Sequence, residues 1–188
     1  MKILIIDNYD SFTYNLAQLV KAITGSRPEV KRNDAIDLDT VALYDKILLS
    51  PGPGIPSEAG SLIPLIETYA PSKSMLGVCL GHQAIAEVFG ARLHNMEQVY
   101  HGVATSVQQL ERDTLFAGID PVFEAGRYHS WVVDKKDFPG SLRITAADEQ
   151  GYIMALAHKT YDVKGIQFHP ESILTPQGKQ IMTNWLQH

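Results

Sequence analysis

The sequence has almost no cysteine, no basic block and no long apolar run, and each shortage excludes something. A single cysteine among 188 residues cannot close an intrachain disulfide. That fits a reducing compartment and leaves the residue without a crosslinking role. Lysine and arginine total 16 against 21 acidic residues, a net charge of -5, and they are not clustered. Nothing therefore points to nucleic acid or a membrane surface as a partner. No apolar stretch is long enough to span a bilayer. The N-terminal Met1-Lys-Ile-Leu-Ile-Ile-Asp7 is too short in apolar residues for a signal peptide. A cytoplasmic protein is the expectation. Phosphate-binding loops are missing too: there is no Gly-Lys-Ser/Thr and no GxGxxG. The remaining composition, 45% hydrophobic and 20% charged, suits one globular domain over 1–188 with a substantial core.

The lone cysteine, Cys79, lies in Met75-Leu-Gly-Val-Cys-Leu-Gly-His-Gln83. An apolar run leads into it, Gly77 and Gly81 flank it, and Ala84 to Phe89 reads as helix. The pattern predicts a strand, a tight turn and a helix, with the reactive atom at the turn. A G-x-nucleophile-x-G turn lifts the catalytic side chain of α/β hydrolases above the sheet. Against this stands the ordinary fate of a free cysteine, a small buried hydrophobe.

The first half alternates strand-like and helix-like segments. Lys2 to Ile6, Glu29 to Arg32, Lys46 to Leu49 and Met75 to Val78 read as strands. Asp10 or Ser11 can cap a helix running to about Thr24, with Phe12, Leu16, Leu19, Val20 and Ile23 on one face. A second helix is expected to begin at Ser57 and Glu58. This rhythm predicts an α/β fold: a mostly parallel open sheet with helices on both faces and right-handed crossovers. The second half reads as short strands (103–110, 122–128, 142–147, 153–157 and 163–168), then a helix from about Pro176 to Leu186. They predict an additional mixed or antiparallel layer of strands. In such sheets, sites gather beyond the carboxyl ends of the strands. Cys79, the loop Pro51-Gly-Pro-Gly54 and Asp7-Asn8-Tyr9 all fall there.

A thiol with its ordinary pKa of ~8.5 needs a base or a positive charge nearby. Of seven histidines, His169 in Gly165-Ile-Gln-Phe-His-Pro-Glu-Ser172 directly follows a strand, and Glu171 stands where it can orient the imidazole. Together they give nucleophile, base and orienting carboxylate. His82, three residues after Cys79, is a rival base, although its helical position points it away. His94, His101, His158 and His188 read as ordinary hydrogen-bonding residues. The loop Ser50-Pro-Gly-Pro-Gly-Ile-Pro56 offers bare N–H groups at Gly52 and Gly54, and Leu80 N–H opens the helix; such donors can hold an oxyanion. A proline-stiffened turn without chemistry is the competing reading of that loop.

Pro51-Gly-Pro-Gly54, Gly77-Val-Cys-Leu-Gly-His-Gln83 and Phe168-His-Pro-Glu171, in this order, closely resemble the class I (triad) glutamine amidotransferases. Asp7-Asn-Tyr-Asp-Ser-Phe-Thr-Tyr-Asn15 and Arg127-Tyr-His-Ser-Trp-Val-Val133 narrow the resemblance to the glutaminase components of anthranilate synthase and of its near relative in para-aminobenzoate synthesis. The resemblance covers essentially the whole chain. It implies a flavodoxin-like fold and a triad of Cys79, His169 and Glu171. It implies glutamine binding by Gly52, Pro53, Gly54, Leu80 and Gln83, with Ser130 and Trp131 at the α-amino and α-carboxyl end. The Asp7 to Asn15 segment would lie near the site and face a partner. That partner would be a chorismate-using subunit, anthranilate synthase component I or aminodeoxychorismate synthase component I. No cofactor and no metal are implied. Two positions depart from the family pattern: Val103 stands where lysine is usual, and Trp131 where leucine is preferred.

Overall fold

The computed structural model describes residues 1–188. The first strand, β1 (Ile3–Asp7), is buried at every position because both of its faces are covered. Ile3 and Ile5 project to one side of the sheet, Leu4 and Ile6 to the other, the two-residue period of an extended chain. The chain continues through α1 (Thr13–Thr24), β2 (Glu29–Arg32), β3 (Lys46–Leu49), α2 (Leu62–Tyr69), β4 (Ser74–Val78) and α3 (Leu80–Val88). Then follow β5 (Leu93–Asn95), β6 (Val103–Gln109), β7 (Val122–Arg127), β8 (Trp131–Val133), β9 (Leu142–Asp148), β10 (Ile153–His158), β11 (Val163–Ile166) and α4 (Gly178–Gln187).

Nine strands form one sheet in the order β2-β1-β3-β4-β11-β10-β9-β6-β7, and β5 pairs with β8 in a separate ribbon. β2, β1, β3, β4 and β11 run parallel. From β11 onward each pairing is antiparallel. The antiparallel strands expected as an added layer thus continue the parallel sheet edge to edge. Helices α1 and α4 cover one face, where Leu16, Val20, Ile181 and Trp185 meet Ile3, Ile5, Leu76 and Val78. Helices α2 and α3 cover the other, where Leu62, Leu65, Ile66, Ala84 and Ile85 meet Leu4, Ile6, Ile47 and Leu49. Each such side chain contributes roughly 1.5–3 kcal/mol by leaving water. No helix is long and apolar enough to cross a membrane.

Two local expectations change, and one ribbon was not expected. Neither Asp10 nor Ser11 is the cap residue of α1; Phe12 holds that position and makes no side-chain cap. The Asp7 and Asp10 carboxylates organise the turn together: Asp7 accepts from Tyr9 N at 3.0 Å and from Thr13 Oγ1 at 2.9 Å, and Asp10 accepts from Phe12 N at 2.7 Å. The helix expected from Ser57 starts only at Leu62. Pro56–Glu58 forms a 3₁₀ turn, and Gly60, at φ +54°, breaks the run between them. The ribbon of β5 and β8, three residues each, is too short to leave a readable period in the sequence.

Candidate active site

Cys79 is the hinge between β4 and α3, with φ 52° and ψ -101°. A non-glycine residue in such a conformation costs on the order of 1–3 kcal/mol and persists only when its surroundings enforce it. Here Cys79 N donates to Ile166 O at 2.9 Å, and Cys79 O accepts from Gln83 N at 3.0 Å. The flanking glycines permit the close approach of helix to sheet. A Cβ on Gly77 would sit 2.4 Å from the Gly81 carbonyl, and one on Gly81 would sit 2.5 Å from Leu49 O. The thiol is 6% exposed. Leu80, the first residue of α3, has an N–H with no acceptor inside the helix.

Strand pairing brings the histidine in. β11 lies parallel beside β4 with Ile166 opposite Val78, so the chain leaving β11 passes Cys79 and delivers His169. Its Nδ1 lies 2.6 Å from Glu171 Oε1, and both side chains are almost wholly buried. The backbone is pinned: His169 N donates to Gly126 O at 3.0 Å, and His169 O accepts from Thr175 Oγ1 at 2.6 Å. The rings of Phe12 and Tyr128 pack on the imidazole, with centroids 5.2 and 4.8 Å away. Burial alone would lower the His169 pKa, but the Cys79 thiol and the Glu171 carboxylate outweigh it and raise it to about 10. His169 Nε2, the nitrogen not taken by Glu171, is buried and makes no other hydrogen bond.

The Pro51–Gly54 loop leaves β3 and rests on the turn. A Cβ on Gly52 would be 2.6 Å from Leu80 Cδ2 and from Asn8 Cβ. Asn8 ties the loop down through Asn8 N to Ser50 Oγ at 2.9 Å and Asn8 Nδ2 to Ser50 O at 2.8 Å. Gly54, at φ +72°, turns the chain away, and Pro53 and Gly54 are exposed. On the other side, buried Gln83 donates through Nε2 to Trp131 O at 2.9 Å and to Gln167 Oε1 at 3.2 Å. Ser130 and Trp131, both half-buried, are thereby held over the start of α3. Val103 opens β6 opposite Arg127 and is 45% exposed.

His82 lies elsewhere. It is fully buried against Gly165 of β11, neither ring nitrogen has a side-chain or backbone acceptor of good geometry, and burial pushes its pKa down to about 4. Its ring therefore stays neutral near pH 7. Sequence reasoning missed Gln167, whose Nε2 lies 3.6 Å from Cys79 Sγ. A wholly buried amide in an apolar strand end must find partners, and that was the available signal. The packing of Phe12 and Tyr128 on His169 left no such signal.

A strained cysteine at a strand-to-helix turn, beside a buried histidine–carboxylate pair, defines the layout of a thiol-dependent acyl-transfer enzyme. The family model for class-I glutamine amidotransferases matches residues 4–188, and the chain belongs to that family. It is 46% identical to an anthranilate synthase component 2 of Pyropia yezoensis over 99% of each chain. It is 43% identical to an aminodeoxychorismate synthase component 2 of Klebsiella aerogenes over 98% of each. A glutamine amidotransferase of Thermotoga maritima superposes with TM-score 0.77 at 16% identity, covering 100% of this chain and 81% of that one, which speaks to fold alone.

Proposed function

We propose that the protein hydrolyses glutamine and delivers the ammonia to a separate chorismate-using synthase subunit that makes anthranilate, for tryptophan. The observation that carries the chemistry is the buried His169–Glu171 pair, 2.6 Å apart, with a free imidazole nitrogen beside a cysteine held in a strained turn. In this reading the Cys79 thiolate attacks the side-chain amide carbon of glutamine. The oxyanion is held by N–H groups of Leu80 and the Gly52–Gly54 loop. The imidazolium of His169 gives its proton to the departing nitrogen, ammonia leaves, and a γ-glutamyl thioester remains. His169 then takes a proton from water. The hydroxide attacks the thioester, glutamate leaves, and the thiolate and imidazolium are restored. Glu171 holds the ring throughout. Gln83 contacts the substrate, Ser130 and Trp131 bind its α-amino and α-carboxyl end, and Pro53 shapes the loop over it.

The partner is a component I subunit, and the exposure of Tyr9 and Tyr14 supports the Asp7 to Asn15 segment as the part that faces it. The more similar of the two relatives is named for anthranilate synthase, which favours that product. The second relative's name supports 4-amino-4-deoxychorismate as the alternative product, or one subunit shared by both. A reducing, cytoplasmic setting suits the lone thiol. The test is Cys79→Ala in the purified complex. Glutamine-dependent synthesis should vanish while synthesis from added ammonia persists. Retained glutamine-dependent synthesis would sink the reading. Product analysis with chorismate separates the two acceptor routes.

A further inference from the structure

Gln167 directly follows β11 and is wholly buried, and the direction of its amide is set by the hydrogen bonds of Gln83. The buried Arg127 pairs with Asp148 at 2.6 Å, and its Nε reaches His129 Nε2 at 3.1 Å. A guanidinium only donates, so His129 Nε2 accepts. Burial and the nearby Arg127 charge push the His129 pKa down to about 3, so the ring is neutral and its one proton sits on Nδ1. That nitrogen donates to Trp131 O at 3.0 Å. Trp131 O also accepts from Gln83 at 2.9 Å. A carbonyl cannot donate, so the Gln83 atom is its amide nitrogen. The second proton of that nitrogen faces Gln167 at 3.2 Å, which makes the atom it meets the amide oxygen. The NH₂ group of Gln167 is then the one left 3.6 Å from Cys79 Sγ.

We propose that Gln167 is a positioning residue for the nucleophile: its amide N–H, aimed through Gln83 by the Trp131 carbonyl, holds the Cys79 sulfur in place and donates to it as charge develops there. The inference rests on Cys79 being the nucleophile. An N–H donor to a charged acceptor is roughly twice as strong as one to a neutral acceptor, so the contact strengthens as the sulfur gains charge. It also makes Gln83 the joint between substrate contact and nucleophile placement. Glutamine that engages Gln83 acts on the same amide chain that aims at the sulfur.

The test uses two nearly isosteric variants of the full chain. Gln167→Met keeps the shape and removes the donor. Gln167→Glu turns the polarity around and sets a carboxylate against the sulfur. The rate of Cys79 alkylation by iodoacetamide at pH 7 is followed by mass spectrometry, with circular dichroism as the check on folding. Alkylation should slow about ten-fold in the Met variant and further in the Glu variant, on the scale of one charge-assisted hydrogen bond. In the complex with the synthase, kcat for glutamine should fall in the same order, with KM within about two-fold of wild type. A role in packing alone would leave alkylation of both folded variants within two-fold of wild type, and that result overturns the proposal. If instead Cys79→Ala retained glutaminase activity, the reading of the nucleophile would fail, and this inference with it.

Discussion

The ring of Phe12 stands edge-on to the imidazole of His169, with centroids 5.2 Å apart and planes at 72°. Phe12 immediately precedes α1 and His169 follows β11, so two distant segments meet at the imidazole. Tyr128 closes another side of the same ring, and its hydroxyl lies 3.0 Å from Ser172 Oγ. The imidazole is therefore held by Glu171 at one nitrogen and by packing on its sides.

Removing one wall should loosen the base without unfolding the chain. Phe12→Ala is expected to lower kcat for glutamine about 5–10-fold, on the scale of one aromatic pair, with a smaller change in KM. Phe12→Tyr, which keeps the ring, should restore most of it. Steady-state kinetics in the synthase complex provide the comparison, and unchanged kcat in Phe12→Ala would count against the packing role.

The backbone at Cys79, at φ 52° and ψ -101°, makes a second prediction about stability alone. Glycine adopts this region without steric cost, whereas alanine carries the same strain as cysteine. Strain relief of about 1–3 kcal/mol, less about 0.5–1 kcal/mol for glycine's freer unfolded chain, leaves Cys79→Gly roughly 1 kcal/mol more stable than Cys79→Ala. Urea unfolding of the two inactive variants measures it. An alanine variant at least as stable as the glycine one would argue against strain at the turn.

Acid should expose the cost of burying His82. Its pKa is lowered to about 4 by burial, while an unfolded histidine titrates near 6.5. Between those values the unfolded chain binds a proton that the folded chain refuses, so stability is full above about pH 6.5 and declines as pH falls toward 4. His82→Met removes that slope. At pH 4 the wild type should have lost on the order of 3 kcal/mol more than the variant, relative to pH 7. Parallel losses in both proteins would contradict it.

The Arg127–Asp148 pair is 2.6 Å long, with side chains 1% and 4% exposed. Arg127 also lies over the Tyr100 ring at 3.7 Å. Arg127→Leu leaves the Asp148 carboxylate without its cation and should cost about 3–5 kcal/mol. Adding Asp148→Leu should recover part of the loss, because no lone charge is then buried. A double-mutant cycle by thermal melting checks the sign of that recovery.

Much of the architecture was legible in the residues because strands buried on both faces are continuous apolar runs, as in Ile3 to Ile6 and Ile47 to Leu49. The turn at Cys79 was legible because close helix–strand packing demands Gly77 and Gly81. The nearness of Cys79 to His169 came from reading both as strand ends. What escaped depends on register between distant strands. Gln167 faces Cys79 only because β11 pairs with β4, and no local pattern encodes that pairing. The cap of α1 escaped for a different reason. Asp10 is a good cap by residue type and its carboxylate does accept from Phe12 N at 2.7 Å, but the first helical residue, Thr13, bonds through Oγ1 to Asp7 at the end of β1.

The pairing of β4 with β11 joins groups 88 positions apart. A chain emerging from the ribosome therefore carries the Cys79 thiol long before it carries His169 and Glu171. Until the last strand of the parallel set is added, neither Glu171 nor the imidazole is there to serve the thiol. Unfinished chains should spare the cell's glutamine, and the onset of hydrolysis marks a chain that has been made through its final strand.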